Sequence, residues 1–531
     1  GEMMPGPVTP LTLSTFGKAI DLGLQVFYIH AGVLESKSDE FIFVHSFYNH
    51  LFFDLNRMYE ISKYTLFMKK ENIDFSVVGQ IVDSKKTERV VSVMTGLRNF
   101  LSVNKYINQA PKAWQRLRVI YKHFKLKRPD NIRDCYDLID GNMPILMRAY
   151  DLHYVTSSQS GALYSAILNF YSKGKVPGRN EQEKVAALFN NIPNIESANV
   201  VISIDKIAKM LASFDDVEEE FLEVNNELAY EFISKTGPDE VVDEWHELIA
   251  RHGHRCIREA EMRELEWAVE PTHLIESVKS KTRLFMDGHK PKVIDELEPL
   301  FEISKEDLGY IQRNVVKWML PKARKAVVRR EHTKAWAIGV QHQFKIAYRH
   351  LAKMMVSEGI LDDEDQIYFL KHSEIGQMIT SGEHGFWKKI AIERRRQFPE
   401  LQKMIFDDVV FGIPVPQESP SFTYTGNLSG VPVSQGVVVG QVRVVNSLAD
   451  ASLLKKGEIM VARYTDIGWT PFFSIISGLI TEIGSPLSHG AVVAREYGIP
   501  AIVSMKGAMQ NLETGQKIRL DAVKGEVFIL S

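Results

Sequence analysis

The sequence predicts a multi-domain protein: a large, mainly α-helical domain followed by a small α/β domain. Three observations predict it. At 531 residues the chain exceeds what one hydrophobic core usually holds. Up to residue 413 its apolar residues recur at three- and four-residue steps with few internal glycines, the spacing of helices that bury one face. After about residue 430 the texture changes to short Val- and Ile-rich runs broken by turns, the spacing of strands. Pro414, Pro416 and Pro420 fall in a polar stretch between the two that suits neither a helix nor a central strand. The expected organisation is therefore a helical domain over 1–413, a linker over 414–427 and an α/β domain over 428–531.

In order along the chain, the apolar spacing predicts helices over 204–235, 239–252, 304–319 and 323–357. The basic stretch from Trp114 to Arg133 reads as a solvated amphipathic helix, and Asp215–Glu220 as a charge cluster at a helix N-terminus. Past the linker, strands are expected over 436–440, 442–445, 458–462, 478–481, 501–504, 517–520 and 526–530, with helices over 449–454, 469–476 and 489–497. A net charge of -3 gives no global attraction to nucleic acid or anionic membrane, and neither is expected as a partner. Cys135 and Cys256 are too few for a disulfide framework and lack zinc-ligand spacing, which points to a reducing, cytoplasmic setting. The opening Gly1-Glu2-Met3-Met4-Pro5-Gly6 lacks the order of a signal peptide and reads as the start of an excised piece of something longer.

The chemistry concentrates at Thr481-Glu482-Ile483-Gly484-Ser485-Pro486-Leu487-Ser488-His489-Gly490, where an apolar strand turns into a helix. Ser488 is the expected N-cap, so His489 opens a helix whose unpaired N–H groups and partial positive charge favour a phosphoryl group. Alone, a histidine in such a step is more often structural; neutral imidazole at a helix start, next to a small Gly490 with room for phosphate, favours a nucleophile. No G-x-S-x-G elbow and no GxxxxGK[ST] loop accompanies it. In the helical part, His246, His252 and His254 lack any metal-ligand pattern, and no metal is expected. Gly253 suggests a helix end projecting His254 and Arg255, while Arg330 and Lys334, one turn apart, share a face suited to a polyanion.

Residues 428–440 (Leu428 to Gly440), 464–471 (Tyr464 to Pro471) and the His489 segment together resemble the swivelling phosphohistidine domain of the phosphoenolpyruvate-utilising enzymes. That family usually has two glycines where this chain has Gly484-Ser485. In the helical part, Met4–Thr12, Arg251–Arg255 with Trp267, and Glu358–Asp363 with Phe369, Leu370 and Glu374 resemble the substrate-binding domain of rifampicin phosphotransferases. The resemblance implies an ATP-grasp domain as upstream partner, with ATP and Mg2+ used there and not by a motif in this chain. It implies that His489 is phosphorylated and swings to a small, apolar acceptor with a hydroxyl group. Thr481, Gly484, Ser488, Gly490 and Asp466 would support the histidine loop; His254, Arg255, Arg330 and Lys334 would hold phosphoryl or acceptor. A phosphoenolpyruvate synthase or dikinase fragment, and a non-catalytic small-molecule-binding relative, are the alternatives.

Overall fold

The computed structural model describes residues 4, 6–66, 68, 70–78, 82, 88, 90–175, 177–189, 192–193, 195–288, 308–407, 409–417, 428–446, 448–451, 453–465, 469, 472–473, 475–486 and 488–530. A hairpin of β1 (Val44–Phe47) and β2 (His50–Phe53) comes early, where only helices were expected. Two long helices then carry the helical part. Asn131 caps α1 (Ile132–Tyr171), 40 residues long, by accepting from the Asp134 amide. Helices α2 (Arg179–Ala187), α3 (Glu196–Leu211) and α4 (Asp239–His252) follow, and the 48-residue α5 (Tyr310–Ser357) lies along α1.

Two expectations for helices of the helical part differ from the structure. The helix expected over 204–235 is broken: one helix ends at Leu211, a short helical turn spans Glu218–Leu222, and Asn225 starts another by accepting from the Leu228 amide at 2.9 Å. The helices expected over 304–319 and 323–357 are one from Tyr310 onward; residues 304–307 lie outside the described residues. Pro321 removes one backbone donor from α5, but Val316, Leu320, Ala323 and Val327 around it are buried, and this packing carries the helix through. Of the expected linker, 414–417 is neither helix nor strand and 418–427 lies outside the described residues.

The C-terminal part forms an eight-stranded sheet. Its strands are β3 (Leu428–Ser429), β4 (Val431–Ser434), β5 (Val437–Val445), β6 (Ile459–Ala462), β7 (Gly478–Thr481), β8 (Ala501–Val503), β9 (Lys517–Asp521) and β10 (Glu526–Ile529), in the order β3-β10-β9-β5-β6-β7-β8-β4. β5 through β8 run parallel and the outer pairings are antiparallel. The two segments expected at 436–440 and 442–445 are the single strand β5. Helix α6 (His489–Glu496) crosses from β7 to β8, and the helix expected over 449–454 is short, Leu448–Ala451. The helix expected over 469–476 lies partly outside the described residues.

The sheet and the helices touch through few apolar side chains. Val492 of α6 is buried with Tyr164, Ile167 and Leu168 of α1 and Val185 of α2. Val201 of α3, Leu284 and, partly buried, Ile257 pack into the sheet's cluster around Trp469, Phe473 and Val493. Helix α2 also lies against β4. No helix among the described residues is long and apolar enough to cross a membrane.

Candidate functional site

The parallel strands β6 and β7 end on one edge of the sheet, the edge where open α/β sheets place ligands. There the chain after Thr481 folds back: the Glu482 amide donates to the Ala462 carbonyl at 3.2 Å and the Ile483 amide to the Arg463 carbonyl at 2.8 Å. The Ser504 hydroxyl holds the Gly484 carbonyl at 2.5 Å. The Ser488 amide bonds the Ser485 carbonyl at 2.9 Å, and the buried Ser488 Oγ accepts from the Ala491 amide at 3.1 Å, capping α6. His489 is the first residue of that helix.

Gly484 and Gly490 are both needed for packing. A Cβ on Gly484 would lie 2.9 Å from Val503 Cβ, and one on Gly490 would lie 2.3 Å from Thr465 Oγ1. At Gly490 the missing Cβ lets α6 seat on Thr465. Ser485 replaces the family's second glycine without backbone strain, since it is not among the non-glycine residues with positive φ. Thr481 Oγ1 is buried and makes no hydrogen bond to any described residue, so Ser488 alone of the two caps the helix. Asp466 lies outside the described residues.

The remaining predicted residues meet in the helical interior. Glu259 stands between two of them, with Oε2 3.8 Å from Arg255 Nη1 and Oε1 3.2 Å from Lys334 Nζ. Arg330 reaches Glu331 Oε1 at 3.4 Å. Burial first, then the charges of Arg330 and Lys334, push His153 down to about 3; its Nδ1 lies 3.1 Å from Thr333 Oγ1. His254 is held well below its ordinary value by burial and then by Arg255, and its Nε2 meets no partner among the described residues. His252 is fully buried, 3.7 Å from Glu196 Oε1, and depressed to about 3 by burial and Arg255. His246 sits apart, lining a surface hollow with Tyr230, Trp245 and Trp267.

The structure therefore gathers Arg255, Lys334, Arg330 and His254 into one polar cluster and places the histidine loop on the sheet edge. Sequence reasoning missed Glu259, His153, Glu331 and Thr333. Glu331 and Thr333 sit between Arg330 and Lys334 on α5 and were open to the same helical-face reading; no local pattern marks Glu259, whose partners are distant in sequence.

Comparison with known proteins finds a family match in each part. Residues 454–525 match the mobile domain of PEP-utilising enzymes, and residues 153–331 match the rifampicin phosphotransferase fourth domain. The rifampicin phosphotransferase of Bacillus subtilis (strain 168) is 25% identical over 366 residues, 66% of this chain and 42% of that protein. That of Bacillus cereus is 29% identical over 319 residues, 56% of this chain and 36% of that protein. The prodigiosin synthesizing transferase of Serratia marcescens is 27% identical over 394 residues, 70% of this chain and 43% of that protein. The chain thus spans less than half the length of these curated relatives. A capped histidine helix within the matched mobile domain, joined to a matched rifampicin phosphotransferase domain, makes this chain a rifampicin phosphotransferase-like member of the PEP-utilising family.

Proposed function

We propose that this chain is the acceptor-binding and phosphohistidine-carrying portion of an ATP-dependent, dikinase-type phosphotransferase. The sheet domain over 428–531 swings on the linker over 414–427 between an ATP-grasp domain, where ATP and Mg2+ are used, and the helical domain over 1–413. His489 carries the phosphoryl group. A hydroxyl oxygen of a small, apolar acceptor attacks phosphorus, the P–N bond breaks with its electron pair returning to the imidazole, and the hydroxyl proton passes to that freed nitrogen. Phosphoryl transfer needs alignment and positive charge more than covalent help, and Arg255, Arg330 and Lys334 supply the charge, with His254 beside them.

The observation that carries this reading is the position of His489 as the first residue of a Ser488-capped helix at the end of parallel strands. Thin apolar contact between sheet and helices supports the swing, because few side chains must part. The test uses phosphoramidate, which phosphorylates imidazoles without ATP. Intact-mass and fragment spectra should show an acid-labile phosphoryl group on His489 that is missing from His489→Ala. Turnover undiminished by His489→Ala in the complete enzyme would end the proposal.

A further inference from the structure

Two buried carboxylates lie two residues apart in the segment after α4, and they are held very differently. Glu261 is saturated: its Oε2 accepts from the Thr9 amide at 3.1 Å, and its Oε1 accepts from the Thr9 hydroxyl at 2.6 Å and from the Thr12 hydroxyl. That carboxylate ties the N-terminal segment to the helical interior. Glu259, 5% exposed, accepts no hydrogen bond at either oxygen from any described residue. A buried carboxylate held so loosely costs stability, and no structural tie explains it.

The backbone aims Glu259 inward. Arg258, just before it, takes a left-handed conformation with φ 50°, and its Nη2 donates to the Pro7 carbonyl. Arg255 is pinned on both sides, its amide donating to the His252 carbonyl at 2.9 Å and its carbonyl accepting from the Trp267 amide at 2.9 Å. The Arg255 side chain is buried, and its Nε meets no hydrogen-bond partner among the described residues. Glu259 lies between this guanidinium and α5, with Oε2 3.8 Å from Arg255 Nη1 and Oε1 3.2 Å from Lys334 Nζ. Both are ion-pair distances, and neither contact is a hydrogen bond. One carboxylate therefore serves two largely buried cations, without the close bonding that would lock them to it.

We propose that Glu259 is a positioning residue that stands in for the phosphoryl group between Arg255 and Lys334 and gives the two cations up when that group arrives. The proposal rests on the reading of Arg255 and Lys334 as phosphoryl-binding groups and adds the residue that sets their strength. Before transfer, the carboxylate keeps two buried positive charges from facing each other unscreened and holds both side chains at the site. During transfer, a phosphoryl group with more negative charge and three oxygens offers the guanidinium and the ammonium better bonds than Glu259 does. After transfer, the carboxylate repels the phosphorylated product and reclaims its cations, so the site empties. Free phosphate is held weakly for the same reason.

The test is calorimetric titration of the whole chain with inorganic phosphate at fixed ionic strength. E259Q, which keeps the shape of the side chain and removes its charge, should bind phosphate at least about tenfold more tightly than the wild type, a modest share of the interaction between unit charges a few ångströms apart. E259D keeps the charge and should bind as the wild type does. K334Q in the E259Q chain should cancel the gain, which locates the phosphate at this cluster. Loss of the counter-charge should also lower the melting temperature of E259Q in phosphate-free buffer, and phosphate should raise it by more than it raises that of the wild type. A carboxylate that serves only the architecture would give the opposite sign, since its removal would scatter the cations and weaken phosphate binding. Unchanged or weaker binding in E259Q, a gain that survives K334Q, or an E259Q chain that phosphate fails to stabilise would overturn the proposal. Labelling of His489 by phosphoramidate does not involve Glu259, so a wild-type chain that takes no label strikes the phosphohistidine reading and leaves the phosphate titrations to judge this one.

Discussion

At the scale of single residues, the interior keeps His153, His252 and His254 neutral and Glu266 charged. His153 and His252 are depressed to about 3, each chiefly by burial, and His254 lies well below the ordinary value of 6.5. Burial alone would raise Glu266, yet its hydrogen bond from His342 and the charges of Lys345 and Arg349 hold it at about 2. The two kinds of group act in different pH windows. Below pH 6.5 the unfolded chain binds protons at these histidines that the folded chain refuses, so stability falls with falling pH by about 1.4 kcal/mol per pH unit for each histidine, down to about pH 3. Glu266 has its unfolded value near 4.5, so its contribution is fully present above that and is lost only as pH falls toward 2. Urea midpoints measured from pH 7.5 to pH 5 should therefore drop steadily, and His252→Gln should remove one proton from the slope. Midpoints flat across that range would show that these imidazoles already carry their protons in the folded state.

At the scale of elements, α6 shows how a short helix is seated for its task and how much of this can be read locally. The Ser488 cap and the strand before it were legible because both are patterns of neighbours along the chain: a hydroxyl residue at a helix start, and a run of apolar residues bounded by glycine. The role of Gly490 was not legible, since its partner Thr465 arrives from the loop after β6. The β1–β2 hairpin escaped for a related reason: its turn residues Tyr48 and Asn49 take positive φ without a glycine, so the usual turn signal is missing. Continuity of α5 through Pro321 was hidden because buried neighbours on other elements, not the local sequence, hold it. The seat of α6 gives a two-step experiment. Gly490→Ala should destabilise the sheet part by roughly 1–3 kcal/mol, the usual cost of overpacking, and Thr465→Ala in the same chain should recover most of that loss by removing the Oγ1 that the new methyl group strikes. Thermal unfolding of the single and double variants measures it, and equal loss in both would mean that Thr465 is not what the glycine accommodates.

At the scale of the whole molecule, the apolar clusters show where the chain can part. The largest cluster contains only residues of the helical part, and another, around Ile459, Ile480 and Leu520, contains only residues of the sheet. Among the described residues a third cluster, around Phe221 and Trp245, is also wholly helical, and the other two clusters join the parts; in one of these Val492 is the sole buried residue from the sheet part. Val492 is 2% exposed between Tyr164, Ile167 and Leu168 on α1 and Val185 on α2. Removing a side chain of that size from its apolar contacts costs about 1.5–3 kcal/mol, and a lysine there must also lose its hydration or pull the surfaces apart. Inter-domain contacts of this modest kind open readily, whereas cores do not. Val492→Lys should therefore separate the two parts without unfolding either: small-angle scattering should show a larger radius of gyration, while the far-ultraviolet circular dichroism stays unchanged. His489 in that variant should still accept phosphate from phosphoramidate, because the capped helix that presents it is built within the sheet part, but transfer onward to an acceptor should slow sharply. A V492K chain as compact as the wild type would mean that the contact through α6 does not hold the sheet in its docked position.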